Sequence, residues 1–230
     1  MRKPSGLFVL LVLAALYLHN GNNVRLLMVQ DGSGEQHQAR QGDGGTGKRG
    51  TSQLLDVLEA NLNDLYGKCR NLQNHDLLPK LGFFLQVSMF HYEMARELVS
   101  LEANPGSGLA QALAVKGMIR RTVEFGKHLR NALIPQMCQL AAHVSADLSR
   151  QNIRELRRGF KPEIAQVLRW ERIANKTAGY YDSDATTVMS LLDGLSYEQV
   201  VETVQGFIRY TGNVLSLFSI ALNEAPSKSP

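Results

Sequence analysis

Cysteine is scarce in this chain: Cys69 and Cys138 are the only two among 230 residues. Two thiols cannot staple a small loop-rich scaffold, nor can they supply a four-cysteine zinc site. Strand patterning is missing as well. No stretch alternates apolar and polar residues for long enough to read as a half-buried strand, which excludes sandwiches and barrels. Catalytic signatures are also absent: there is no H-E-x-x-H, no G-x-S-x-G and no Glu-x-x-His pair of the bundle di-iron kind. His91, Glu93 and Glu97 lie close together, but with Arg96 as counter-charge they read as an exposed helix surface. His128 and His143 stand alone. From these residues we expect no enzyme activity, no cofactor and no metal.

Charge of one sign is also in short supply. The formal net charge of +4 comes from 25 basic and 21 acidic residues. Arg2 and Lys3 precede an apolar run at 7–18, and a polar patch follows it. That layout reads as a secretory signal over residues 1–21, since a run this short does not span a bilayer comfortably. Removing the two basic residues with it leaves 23 basic against 21 acidic, too even a balance for a nucleic-acid binder. Good small-residue cleavage spacing is missing, so the alternative is an uncleaved anchor with the remainder lumenal. Membrane contact is expected only through that segment. In either case the expected location is secreted or within the secretory pathway.

Residues 22–50 are glycine-rich, with hardly an apolar side chain after position 30. Such a segment cannot bury enough surface to offset the entropy of ordering, so it reads as a flexible spacer. Its glycines lack the G-X-Y period of collagen. Ser33, followed by Gly34 and flanked by Asp31 and Glu35, resembles a glycosaminoglycan attachment site. Lys48 and Arg49 form a dibasic pair that a processing protease could reach. The Gly-rich stretch ending at Lys48 imitates a phosphate loop, but Arg49 stands where Ser or Thr must bind magnesium.

From residue 51 to 225 the apolar residues fall at helical spacing, with a short tail at 226–230. Leu55, Leu58, Leu62, Leu65, Cys69 and Leu72 share one face, with Ser52 as N-cap. Phe83, Val87, Phe90, Met94, Leu98 and Leu101 form a second stripe after Pro79. Leu81, Phe84, Leu85 and Met89 widen it, so this helix is expected to be the most buried. A break at 104–108 follows. The third stripe is Val115, Met118, Thr122, Phe125, Leu129 and Leu133, and Pro135 should kink or stop it. Helix then resumes through Leu140, Val144 and Leu148 to Ile153, Leu156 and Phe160. Pro162 opens another helix with Ile164, Val167, Leu168 and Glu171 inward. A short helix is expected at 184–193. Ser196 and Gln199 then form a capping pair before a long stripe from Val201 to Leu222. The fold class is all-α: a bundle of several long antiparallel helices with short extra ones.

Covalent expectations follow from the secretory address. An even cysteine count predicts a Cys69–Cys138 disulfide. Asn175-Lys176-Thr177 is the one N-x-[ST] sequon, predicting N-glycosylation at Asn175. Arg150, Arg154, Arg157, Arg158 and Lys161 fall on one helix face opposite Ile153, Leu156 and Phe160, a docking surface for an anionic partner. The functional expectation is a secreted bundle that binds a macromolecular partner, either a protein or an anionic glycan. The alternative is a carrier opening around a lipid or other small apolar ligand near Phe83, Phe84, Met89, Phe90 and Met94.

Overall fold

The structure, a computed structural model, describes residues 46–71, 78–104, 106–143, 146–176, 190 and 194–224. Within them the chain forms α1 (Thr46–Asn71), α2 (Leu78–Ala103), α3 (Gly108–His128), a π-helical turn (Leu129–Leu133), α4 (Ile134–His143), α5 (Arg150–Gly159), α6 (Lys161–Lys176) and α7 (Tyr197–Glu224). No strand occurs among the described residues. The all-helical class is therefore correct. Residues 1–45, with the signal and Ser33, lie outside the described residues, as do Leu72, Val144 and nearly all of the short helix expected at 184–193.

Several ends are where local chemistry puts them. Gly106 and Gly108 both adopt positive φ, 63° and 54°, and so separate α2 from α3 at the expected break. The Gln199 amide donates to Ser196 Oγ at 3.3 Å and caps α7. Other ends differ. α1 begins at Thr46, so Ser52 is an interior residue rather than an N-cap, and Lys48 and Arg49 stand in helix instead of a spacer. The continuous helix expected from Leu140 to Phe160 is broken: α4 ends at His143, and Leu148 is buried in a non-helical connection. Ser149 and Asn152 form a reciprocal capping box that starts α5 afresh.

Pro135 neither stops nor sharply ends its helix. Proline has no N–H to give the carbonyl four residues back, and its ring crowds that carbonyl. The chain absorbs the conflict just upstream by widening one turn, with the Ile134 amide donating to Leu129 O five residues earlier. Leu129 and Leu133 still reach the core.

The most buried helix is α7, not α2. α7 packs against α2, α3, α4, α5 and α6, whereas α1 rests on α2. Val204, Ile208, Thr211, Val214 and Phe218 of α7 are completely enclosed. The second stripe is buried from Phe83 to Leu101 as expected, but Met89 points outward. On α6 the buried face is Ile164, Val167, Trp170 and Ala174, while Leu168 is exposed. The face read from the sequence was thus turned toward Leu168 and omitted the chain's single tryptophan.

One glycine sets how closely its helix is approached. At Gly126 an added Cβ would sit 3.5 Å from Val167 and 3.4 Å from Phe207, ordinary contact distances, so that position does not require glycine. At Gly206 of α7 a methyl would overlap Glu163 Cγ and stand 3.1 Å from Cδ. Gly206→Ala is therefore expected to lower stability by about 1–3 kcal/mol in urea unfolding, overpacking outweighing the gain in helix propensity. Glu163→Ala in the same chain should restore most of that loss. A Gly206→Ala variant as stable as the parent would show that Glu163 moves aside freely.

Candidate functional site

Both cysteines are free thiols, which corrects the expected bridge. The reason lies in the packing. Cys69 is on α1, whose interface is with α2, and Cys138 is on α4, which packs on the π turn, α7 and α2. The two sulfurs belong to different interfaces. Burial pushes both thiols above their ordinary pKa, and at Cys138 the Arg150 charge pulls partly back.

His91 is a second correction. It is not on an exposed charged face but enclosed, 1% accessible, with Nε2 2.6 Å from Thr211 Oγ1 on α7. The Thr211 hydroxyl donates its one proton to Ile208 O at 2.9 Å, so it accepts from His91 Nε2–H, which assigns the tautomer. Desolvation lowers the His91 pKa to about 3, and the ring is neutral at physiological pH. Glu97 pairs with Arg121 across α2 and α3. His128 hydrogen-bonds Gln86 at 2.6 Å, and His143 is exposed. No group of three or more His, Cys, Asp or Glu that could hold a metal occurs among the described residues.

The five cations expected on one helix face are divided between two helices: Arg150, Arg154, Arg157 and Arg158 are on α5, while the chain leaves helical geometry at Phe160 and Lys161 opens α6. Arg150, Arg154 and Arg157 of α5 line one side of a cavity of about 310 Å³. Lys127 of α3 and Arg130 of the π turn line the other side. Arg158 and Lys161 are exposed but do not line it. Beneath the cations the wall is apolar: Val123, Leu129, Ile153, Ile164, Val167 and Phe207. Tyr210 completes it; burial pushes its phenol above the ordinary range, while Arg157 pulls the other way. Glu171 is the one acidic residue in the lining, and it holds Arg130 at 3.6 Å.

The five predicted cations have no ion pair or side-chain hydrogen bond among the described residues, and the nearby Glu155 is occupied by Gln151 at 2.8 Å. Sequence reasoning missed Lys127 and Arg130. Their only signal is a three-residue spacing beside the Leu129 stripe; what brings them here is the π turn and the packing of α3 on α6.

Asn175 is exposed at the end of α6, and its Oδ1 accepts from Lys127 Nζ at 3.4 Å. The sequon's Thr177 lies outside the described residues. Of the residues named for an opening carrier, Phe90 stacks on Phe125 with centroids 4.1 Å apart, Met94 is completely buried and Met89 is exposed. Phe83 borders a second cavity of about 500 Å³ together with Met137, Leu140, Phe218, Gln86 and His143, which gathers no comparable charge. No helix among the described residues is long and apolar enough to cross a membrane. Comparison with protein-family models, curated proteins and solved structures finds no match to this chain.

Proposed function

We propose that this is a secreted helical-bundle binding protein whose working surface is the cationic face of α5, and that its partner is a sulfated glycan. The observation that carries the reading is the row Arg150, Arg154, Arg157 and Arg158 on α5, with Lys161 just beyond it at the start of α6, all exposed and without ion pairs among the described residues. The four arginines extend over roughly 12 Å along the α5 axis. A linear array of fixed charge matches a linear polyanion with repeating sulfates better than it matches one acidic side chain. Arginine forks bind such oxyanions in a bidentate manner. Lys127 and Arg130 widen the positive field, which focuses anions onto the surface.

The secretory route expected from residues 1–21 would bring the protein to an extracellular partner of this kind. N-glycosylation of Asn175 would occur on Nδ2, leaving Oδ1 to keep its bond to Lys127. A gel-mobility shift of the secreted protein on N-glycosidase treatment tests that half of the reading. The charge half is tested on immobilised heparin. Reversing Arg154, Arg157 and Arg158 to Glu is expected to abolish retention at physiological salt. Stability should stay within roughly 0.5 kcal/mol, because all three are surface positions. Retention equal to the parent's would exclude this face as the glycan site.

A further inference from the structure

The cavity behind the cationic row carries more than a glycan surface requires. A polyanion that lies along α5 needs exposed charge and no apolar recess. Yet Ile153, Val167 and Phe207 wall a space of about 310 Å³ that opens between the α5 arginines and Lys127 and Arg130. That volume is at the lower end of small-molecule sites. At roughly 30 Å³ for each water-sized group, it accommodates on the order of ten non-hydrogen atoms.

We infer that this cavity is a binding site for a small single-chain anionic amphiphile. Its alkyl chain, on the order of ten carbons, lies against Val167 and Phe207, and its carboxylate or sulfate head lies among Arg150, Arg154 and Arg157. Charge complementarity selects the class. A neutral chain would leave the surrounding cations without a partner, and a cationic one would be repelled by five like charges against the single carboxylate of Glu171. The site is built by the fold rather than by one helix. The π turn just before Pro135 contributes Arg130 and the following Ile134 to the lining, and the packing of α3 on α6 contributes Val167. The inference is separate from the glycan reading, although the two share arginines.

The test is calorimetric titration of the full secreted chain with decanoate, decyl sulfate, decanol and decyltrimethylammonium, below their aggregation concentrations. Both anions are expected to bind with one-to-one stoichiometry, at least ten-fold more tightly than decanol, and the cation is expected not to bind. Arg154→Glu with Arg157→Glu should weaken the anions at least ten-fold. Leu168→Trp narrows the mouth from an exposed position of α6 that does not threaten folding, and it should weaken them as much. Heparin retention separates the two readings: Leu168→Trp leaves it intact, and the arginine reversals remove it. Equal affinity for decanol and decanoate, or anion binding unchanged in both variants, would overturn the proposal.

Discussion

Phe218→Ala is expected to reduce the unfolding free energy by about 3–5 kcal/mol, the range for deleting a fully enclosed aromatic ring. Phe218 lies on α7 with no accessible surface. Its ring meets Phe83 edge-on at 5.4 Å and stacks on Phe84 at 5.9 Å. Truncation therefore removes both the transfer free energy of the ring and the aromatic contacts that join α7 to α2, and a rigid helix pair collapses only partly into the gap. Against a usual total of roughly 5–15 kcal/mol, that is a large share. Ile220→Ala, two residues along on an exposed position of the same helix, is the control and should cost under about 1 kcal/mol. Urea midpoints with unchanged slopes measure both. A Phe218→Ala loss no larger than that of Ile220→Ala would mean that α7 is not the central helix.

Acidification is the second large effect. His91 is neutral in the folded protein, its pKa lowered by burial to about 3, whereas in the unfolded chain it titrates near 6.5. Between those values the unfolded state binds a proton that the folded state does not. Stability from this residue is thus constant above about pH 6.5 and falls as pH drops toward 3. The slope approaches ~1.4 kcal/mol per pH unit, and the whole interval amounts to roughly 4–5 kcal/mol. Carboxylates titrate in part of the same range, so the informative quantity is the difference between the parent and His91→Leu. That variant leaves Thr211 its bond to Ile208 O. Relative to its own value at pH 7, His91→Leu should lose less stability than the parent at pH 4.5. A difference that stays constant from pH 7 to pH 4 would show that His91 is not held neutral.

Residue by residue, the sequence was most informative where structure depends on near neighbours. The six positions of the stripe itself, Phe83, Val87, Phe90, Met94, Leu98 and Leu101, are all buried, because a 3.6-residue period on a long segment leaves one face to hide, while Met89, expected to widen it, is exposed. The glycines after Ala103 and the Ser196 cap mark their boundaries through backbone conformation and one short hydrogen bond. Reading failed where a second partner decides. Leu168 and Trp170 are two residues apart on α6, and helical spacing alone could not determine which of them is buried. His91 beside Glu93 looked like surface until Thr211, 120 residues away, supplied the hydrogen bond that makes its burial tolerable. The Ser149–Asn152 box escaped the reading because it uses Asn where Glu or Gln is the usual signal.

The same division holds for the candidate site. Arg150, Arg154 and Arg157 share a helix face by spacing alone, so a basic surface follows from the sequence. That this surface borders an apolar recess, with Lys127 and Arg130 across from it, does not. Those two reach the site through the wide turn before Pro135 and through the contact of α3 with α6, and both are properties of packing. The sequence by itself determined an all-helical chain with its main stripes and several of its ends, because hydrogen bonding, capping and periodicity act within a few residues. Only the tertiary structure decided that α7 is central, that His91 is enclosed, that the two thiols remain apart and that five cations converge on one cavity. Each of these depends on which helix faces meet, and that is set by shape complementarity between segments far apart in the chain.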